Sequence, residues 1–103
     1  MKDTKYSVKY TEKALTMIKL HLQYLSIFDN NNAIKFKEKI IAASKSLEIL
    51  PERFPVFNIE GYQNEVYRKM TIDKKYILIY QITESVVYIK YFIDCKQDYK
   101  WLL

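Results

Sequence analysis

Between Tyr67 and Ile93 three runs rich in β-branched and aromatic residues, YRKMTI, YILIYQI and VVYIKYFI, are separated only by Asp73-Lys74-Lys75 and Thr83-Glu84-Ser85. Connections that short cannot cross over a sheet, so the runs are expected to pair as antiparallel hairpins in a meander. Strict alternation places Val87, Ile89, Tyr91 and Ile93 on one face of the third run, opposite Val86, Tyr88, Lys90 and Phe92. It likewise opposes Ile77, Ile79 and Gln81 to Tyr76, Leu78, Tyr80 and Ile82 in the middle run. If other elements cover the Ile face, the remaining face is a platform of tyrosines edged by lysines. Such a surface suits stacked bases and phosphates, although tyrosines are also simply good strand formers.

Upstream the pattern is helical. YSVKYT (residues 6 to 11) alternates as a short first strand with Tyr6, Val8 and Tyr10 on one face, and Thr11 is placed to cap a helix. Ala14, Ile18, Leu22, Leu25 and Phe28 recur at steps of three or four, with Leu15 widening the stripe. Asp29-Asn30-Asn31-Asn32 breaks that helix and offers side-chain oxygens to the start of the next. Ala33, Phe36, Ile40, Ala43, Leu47 and Leu50 then form a heptad-like seam that predicts a second helix to about Leu50, ended by Pro51. Two helices joined so tightly form an antiparallel hairpin. Residues 51 to 65, with both prolines and the single Gly, read as a connector holding at most a short extended piece. The expected fold class is α+β, in the order β-α-α-β-β-β, as one domain spanning residues 1–103.

Composition narrows the functional classes. Seventeen Lys and Arg against twelve Asp and Glu give a net charge of +5, while half of the residues are apolar. That describes a folded domain with a positive surface, suited to nucleic acid or an acidic protein, and excludes a disordered tail. The single Cys95, the lack of a secretory pattern and the lack of a long apolar run lead to the expectation of a cytoplasmic protein without a membrane partner. His21 and Cys95 are each solitary, so no metal and no cofactor are expected. His21 reads as a helix-face residue between Ile18 and Leu25, and Cys95 as an inert thiol.

Four local features, in order, carry a resemblance. They are the helix end LEILPERFP, Arg68 opening the second strand, the pair Tyr76 and Tyr80 in the third, and the segment Asp94-Cys95-Lys96-Gln97-Asp98-Tyr99. With the strand, helical hairpin and meander around them, the chain resembles the RelE/ParE superfamily of type II toxin–antitoxin toxins over nearly its whole length. The resemblance implies a cognate antitoxin as partner. It also implies one of two targets: mRNA on the ribosome, cut by an endoribonuclease, or DNA gyrase, poisoned by binding.

The terminal cluster is then read as chemistry. Cleavage by attack of the RNA 2′-OH needs a proton acceptor, a holder of the charge growing on the phosphate, and a donor for the leaving 5′ oxygen. Arg68 is the expected phosphate clamp, Lys96 shares that task or acts as acid, Asp94 or Asp98 accepts a proton, and Tyr99 stacks on or orients the nucleotide. Lys69, Lys75, Tyr76 and Lys90 complete an expected RNA-binding set. Many ribonucleases of the superfamily carry a His where this chain has Asp94. Each residue also has an ordinary structural use: Arg68 in an exposed pair with an acid such as Glu65, Asp94 as turn chemistry, Asp98 and Tyr99 as anchors of the tail. A toxin that only occupies gyrase, a degenerate member that only holds its antitoxin, and a non-toxic single-strand binder are the competing classes.

Overall fold

The computed structural model describes residues 5–61 and 65–95. Strand β1 (Ser7–Tyr10) leads into helices α1 (Glu12–Phe28) and α2 (Asn30–Ser46). A 3-10 turn at Pro51–Arg53 and a two-residue strand β2 (Val56–Phe57) follow, and then the meander β3 (Tyr67–Ile72), β4 (Tyr76–Thr83) and β5 (Val86–Asp94). The five strands form one sheet in the order β1-β5-β4-β3-β2. Every pairing is antiparallel except that of β1 with β5. This is the expected α+β architecture, with one short strand added where a connector was expected to hold an extended piece.

Local chemistry explains the helix ends. The Thr11 hydroxyl accepts the Ala14 N–H at the start of α1 and also donates to the Ile89 carbonyl, tying the cap to β5. Asp29 serves both helices: its N–H closes the last turn of α1 on the Leu25 carbonyl, while its carboxylate accepts the Asn31 N–H opening α2. Ala33, Phe36, Ile40, Ala43 and Leu47 are buried, as their spacing requires. The seam ends there. α2 stops at Ser46 rather than near Leu50, because the chain turns at Leu47 and Leu50 takes a left-handed backbone with its side chain exposed.

The expected assignment of sheet faces is overturned. The helical hairpin covers Leu78, Tyr80 and the flanking Tyr76 and Ile82 of β4, so the tyrosine face is core and not a wet platform. The opposite face carries Ile77, Ile79 and Ile93, shielded by Ile59 of the connector with Tyr67. In β5 the alternation itself breaks at Lys90. Ile79 pairs with Tyr91 but Tyr80 pairs with Ile89, so β5 holds Lys90 as one extra residue, and its alternation changes sense there. Val87 and Ile89 therefore share the helix-covered core with Phe92, while Ile93 joins the other cluster with Tyr91 packed against it.

The β3–β4 turn positions the site described below. Lys75 N–H donates to the Ile72 carbonyl at 2.9 Å, around Asp73 and Lys74 with φ of 55° and 60°. Two consecutive left-handed residues define the tight turn whose twist matches that of the flanking strands. Lys39 of α2 bonds to Asp73 and pins the turn against the helix.

Candidate functional site

Helices α1 and α2 and the end of the sheet meet beneath the α1–α2 tip. There a cavity of about 380 Å³ is lined by His21 and Tyr24 of α1, Lys35, Phe36 and Lys39 of α2, and Lys75, Tyr76 and Asp94 at the end of the sheet. Tyr76 and Asp94 are direct register partners, and the Cys95 N–H donates to the Lys75 carbonyl at 2.8 Å. The strand ends thus hold an acid, a phenol and an ammonium side by side.

His21 enters this arrangement from α1. Its imidazole packs among Phe36, Tyr76 and Phe92, with ring centroids 4.9, 5.3 and 5.4 Å away. The side chain is only 9% exposed, Nδ1 lies 3.9 Å from the Asp94 Oδ2, and the buried Nε2 has no hydrogen-bond partner. Burial lowers the His21 pKa below its ordinary 6.5, against the opposing pull of Asp94. Burial also raises the Tyr76 phenol, and the Asp94 charge raises it further.

The depressed His21 value has a measurable consequence. The unfolded chain binds a proton near pH 6.5 that the folded chain takes up only at lower pH, so stability must fall as the pH drops below that point. The limiting slope for one such group is about 1.4 kcal/mol per pH unit. Urea unfolding of wild type and His21→Phe between pH 5 and 7.5 should show the slope in the first and its loss in the second. Parallel curves would mean that folding leaves the His21 pKa unchanged.

Arg68 sits elsewhere. It is the register partner of Tyr80, whereas Asp94 partners Tyr76. Four residues of strand, about 13 Å, and two strand spacings, about 10 Å, separate their backbones. The guanidinium donates to the Glu52 carbonyl at 3.1 Å and the Phe54 carbonyl at 2.7 Å. Beside it the Tyr80 hydroxyl donates to the Pro51 carbonyl at 2.6 Å, and burial pushes that phenol up to about 12. Arg68 thus holds the 51–54 turn to the sheet, and Glu65 is engaged instead by Tyr67 and Gln81. Arg68→Ala should lower the unfolding free energy by about 1–3 kcal/mol, since charge-assisted bonds to two carbonyls are lost together. Equilibrium urea titration tests this, and an unchanged midpoint would reduce the tether to a surface contact.

Of the residues expected from sequence, the fold therefore gathers Asp94, Lys75 and Tyr76 in one cavity. Arg68, Lys69 and Lys90 lie apart from it: Lys69 stands 5.6 Å from the Phe57 ring centroid, and Lys90 occupies the bulge, its carbonyl 3.4 Å from the Thr11 hydroxyl. Lys96, Asp98 and Tyr99 lie outside the described residues. His21, Lys35 and Lys39 join the cavity without having been singled out for it. The available signal was a polar residue on an otherwise apolar seam, because His21 follows Ile18 by three and precedes Leu25 by four. Among the described residues no three His, Cys, Asp or Glu side chains converge as metal ligands, and no helix is long and apolar enough to cross a membrane.

Residues 8–99 match the family described as the ParE toxin of type II toxin-antitoxin system, parDE. No curated protein matches the chain in sequence. Among solved structures, the fold resembles a chain of the chromosomal ParDE TA system from P. aeruginosa, with a TM-score of 0.72 and 15% identity over 88% of this chain and 97% of that one. It also resembles a chain of the E. coli DinJ-YafQ toxin-antitoxin complex, with a TM-score of 0.52 and 18% identity over 89% of this chain and 94% of that one. At these identities the likeness is one of fold.

Proposed function

Because this chain belongs to the ParE toxin family of type II toxin–antitoxin systems, we propose that it arrests growth by cutting mRNA on the ribosome and is held inactive by a cognate antitoxin. The observation that supports cleavage is the cavity in which Asp94, Tyr76, Lys75 and His21 come together. In this reading Asp94 takes the proton of the 2′-OH, the 2′ oxygen attacks phosphorus, and the bond from phosphorus to the 5′ oxygen breaks. The products are a 2′,3′-cyclic phosphate and a free 5′-OH. Lys75 and Lys35 face the added negative charge on the phosphate, and Lys96 protonates the leaving oxygen. Asp98 and Tyr99 retain their proposed parts as alternative acceptor and nucleotide-orienting ring. His21, buried and neutral at pH 7, holds its ring beside Asp94 and fixes the floor of the site.

A second reading rests on Arg68. Its guanidinium is committed to the Glu52 and Phe54 carbonyls, far along the sheet from Asp94, so the strongest phosphate binder expected from sequence stands outside the cavity. A toxin that acts by occupying DNA gyrase needs no such clamp. Inducing the chain in bacterial cells, with mRNA 5′ ends and plasmid supercoiling mapped together, separates the two. New ends within translated codons, suppressed by co-expressed antitoxin, uphold the nuclease. Intact mRNA with altered supercoiling or broken DNA assigns the gyrase reading.

A further inference from the structure

Helix α1 is apolar over more of its circumference than the fold covers. Its core stripe, with Ala14 buried and Ile18, Leu22 and Leu25 packed against the main cluster, is turned toward α2 and β5. A second stripe is left open: Leu20, Tyr24, Ile27 and Phe28, spaced as i, i+4, i+7 and i+8 on one helix face, are 60%, 54%, 77% and 72% exposed. The Tyr24 and Phe28 rings stand edge to face, 5.1 Å apart. A single exposed apolar side chain is ordinary, but a whole helix face of them, aromatic at two positions, is a surface that calls for a cover.

The chain leaves the sheet beside this face. Tyr24 belongs to the open stripe and also lines the cavity, as does Asp94, the last residue of β5. The Tyr24 ring is 6.0 Å from that of His21, and His21 Nδ1 is 3.9 Å from Asp94 Oδ2. The Cys95 N–H is still held by the Lys75 carbonyl, and the residues that follow read KQDYKWLL, with the only Trp of the chain beside two leucines. An extended chain advances about 3.3–3.6 Å per residue, so the six steps from Cys95 to Trp101 span about 20 Å, enough to pass Tyr24 and arrive at Phe28. We propose that the open face of α1 seats the segment Tyr99–Leu103 of the same chain, with the Trp101 ring against Ile27 and Phe28. So short a tether holds the segment near its own seat at an effective concentration on the order of millimolar. A second copy has no such advantage and must overcome the repulsion between two chains of net charge +5. A seated segment also carries Lys96, Asp98 and Tyr99 past the cavity; that consequence, unlike the seating, rests on reading the cavity as the RNA site.

The test reads the fluorescence of Trp101 in the full chain, without RNA. Its emission is expected to be blue-shifted from that of the urea-unfolded chain and shielded from acrylamide, with no change on dilution. Nuclear Overhauser contacts should join its indole to the Phe28 ring. Ile27→Ser combined with Phe28→Ser should abolish the shift, the shielding and the contacts, whereas Ile41→Ser, at an exposed position of α2, should keep them. Because all three positions are exposed, far-UV circular dichroism should show both variants folded. A Trp101 as open to acrylamide as in the unfolded chain, or a shielding that survives Ile27→Ser with Phe28→Ser, overturns the proposal. So does shielding that disappears on dilution as a doubled mass is lost, which gives the face to a second copy. Shielding that appears only with phosphatidylglycerol vesicles, or only with the antitoxin, overturns it in favour of those occupants. Counting mRNA ends alongside separates this proposal from the nuclease reading: a seated Trp101 in a chain that cuts no RNA removes only the nuclease, and cleavage by a chain whose Trp101 is open removes only the seat.

Discussion

Asp94→Asn is expected to reduce RNA cleavage by about 10²–10⁴-fold, the span typical for loss of a general base. The substitution keeps the shape of the side chain at the end of β5 and its place opposite Tyr76, while removing the charge and the capacity to take a proton. Antitoxin affinity should change little, because the residue lies inside the cavity with only 16% of its side chain exposed. The comparison is best made on translating ribosomes, by counting new mRNA ends at matched toxin levels. A variant that cuts within a few-fold of wild type would take the proton-accepting role from Asp94 and pass it to Asp98. A variant that loses cleavage and antitoxin binding together would point to a local collapse around His21 instead. The His resonances distinguish that outcome from a chemical defect.

Leu78→Ala is expected to have the largest effect on stability, about 2–5 kcal/mol, as for other fully buried leucines truncated in a core. Leu78 has no exposed surface and stands in the middle of β4, with Met70 of β3 and Phe92 of β5 as its register partners. Its side chain fills the layer between the sheet and the helical hairpin, where Phe36 and Ile40 have no room to collapse onto the void without moving α2. Against a typical total of about 5–15 kcal/mol, that loss brings the fold near its limit. Ile41→Ala, at an exposed position of α2, is the matched control and should stay within about 0.5 kcal/mol of wild type. Urea denaturation followed by far-UV circular dichroism reads both. A loss below about 1 kcal/mol for Leu78→Ala would mean that the sheet and hairpin are not packed together as tightly as the burial of Leu78 requires.

The elements whose cause is local were legible from the sequence. The seam from Ala33 to Leu47, the caps at Thr11 and Asp29 and the three strands of the meander each follow from neighbouring residues, and all stand in the structure. The family too was legible, through the order of those elements and a few short motifs. The sheet faces were not: both faces of β4 carry large apolar residues, so alternation does not say which one the helices cover, and in β5 an extra residue at Lys90 reverses the alternation. The end of α2 escaped for a related reason: Leu50 continues the heptad spacing, but the chain has already turned at Leu47. The site was half visible. Asp94, Lys75 and Tyr76 stand out in sequence, whereas His21 reaches them only when α1 folds back over β5, a contact that no spacing rule encodes.

The single parallel pairing also dictates an order of events. Ser7–Tyr10 finds its partners at Val86 through Ile89, and Thr11 bonds to the Ile89 carbonyl, so the first strand stays unmatched until those residues have left the ribosome. The helical hairpin, whose contacts are close in sequence, has no such wait. A nascent chain therefore passes through a stage in which α1 and α2 are formed but the cavity lacks its sheet side, since Tyr76 and Asp94 are made later. Synthesis alone thus withholds the assembled cavity until β5 has emerged.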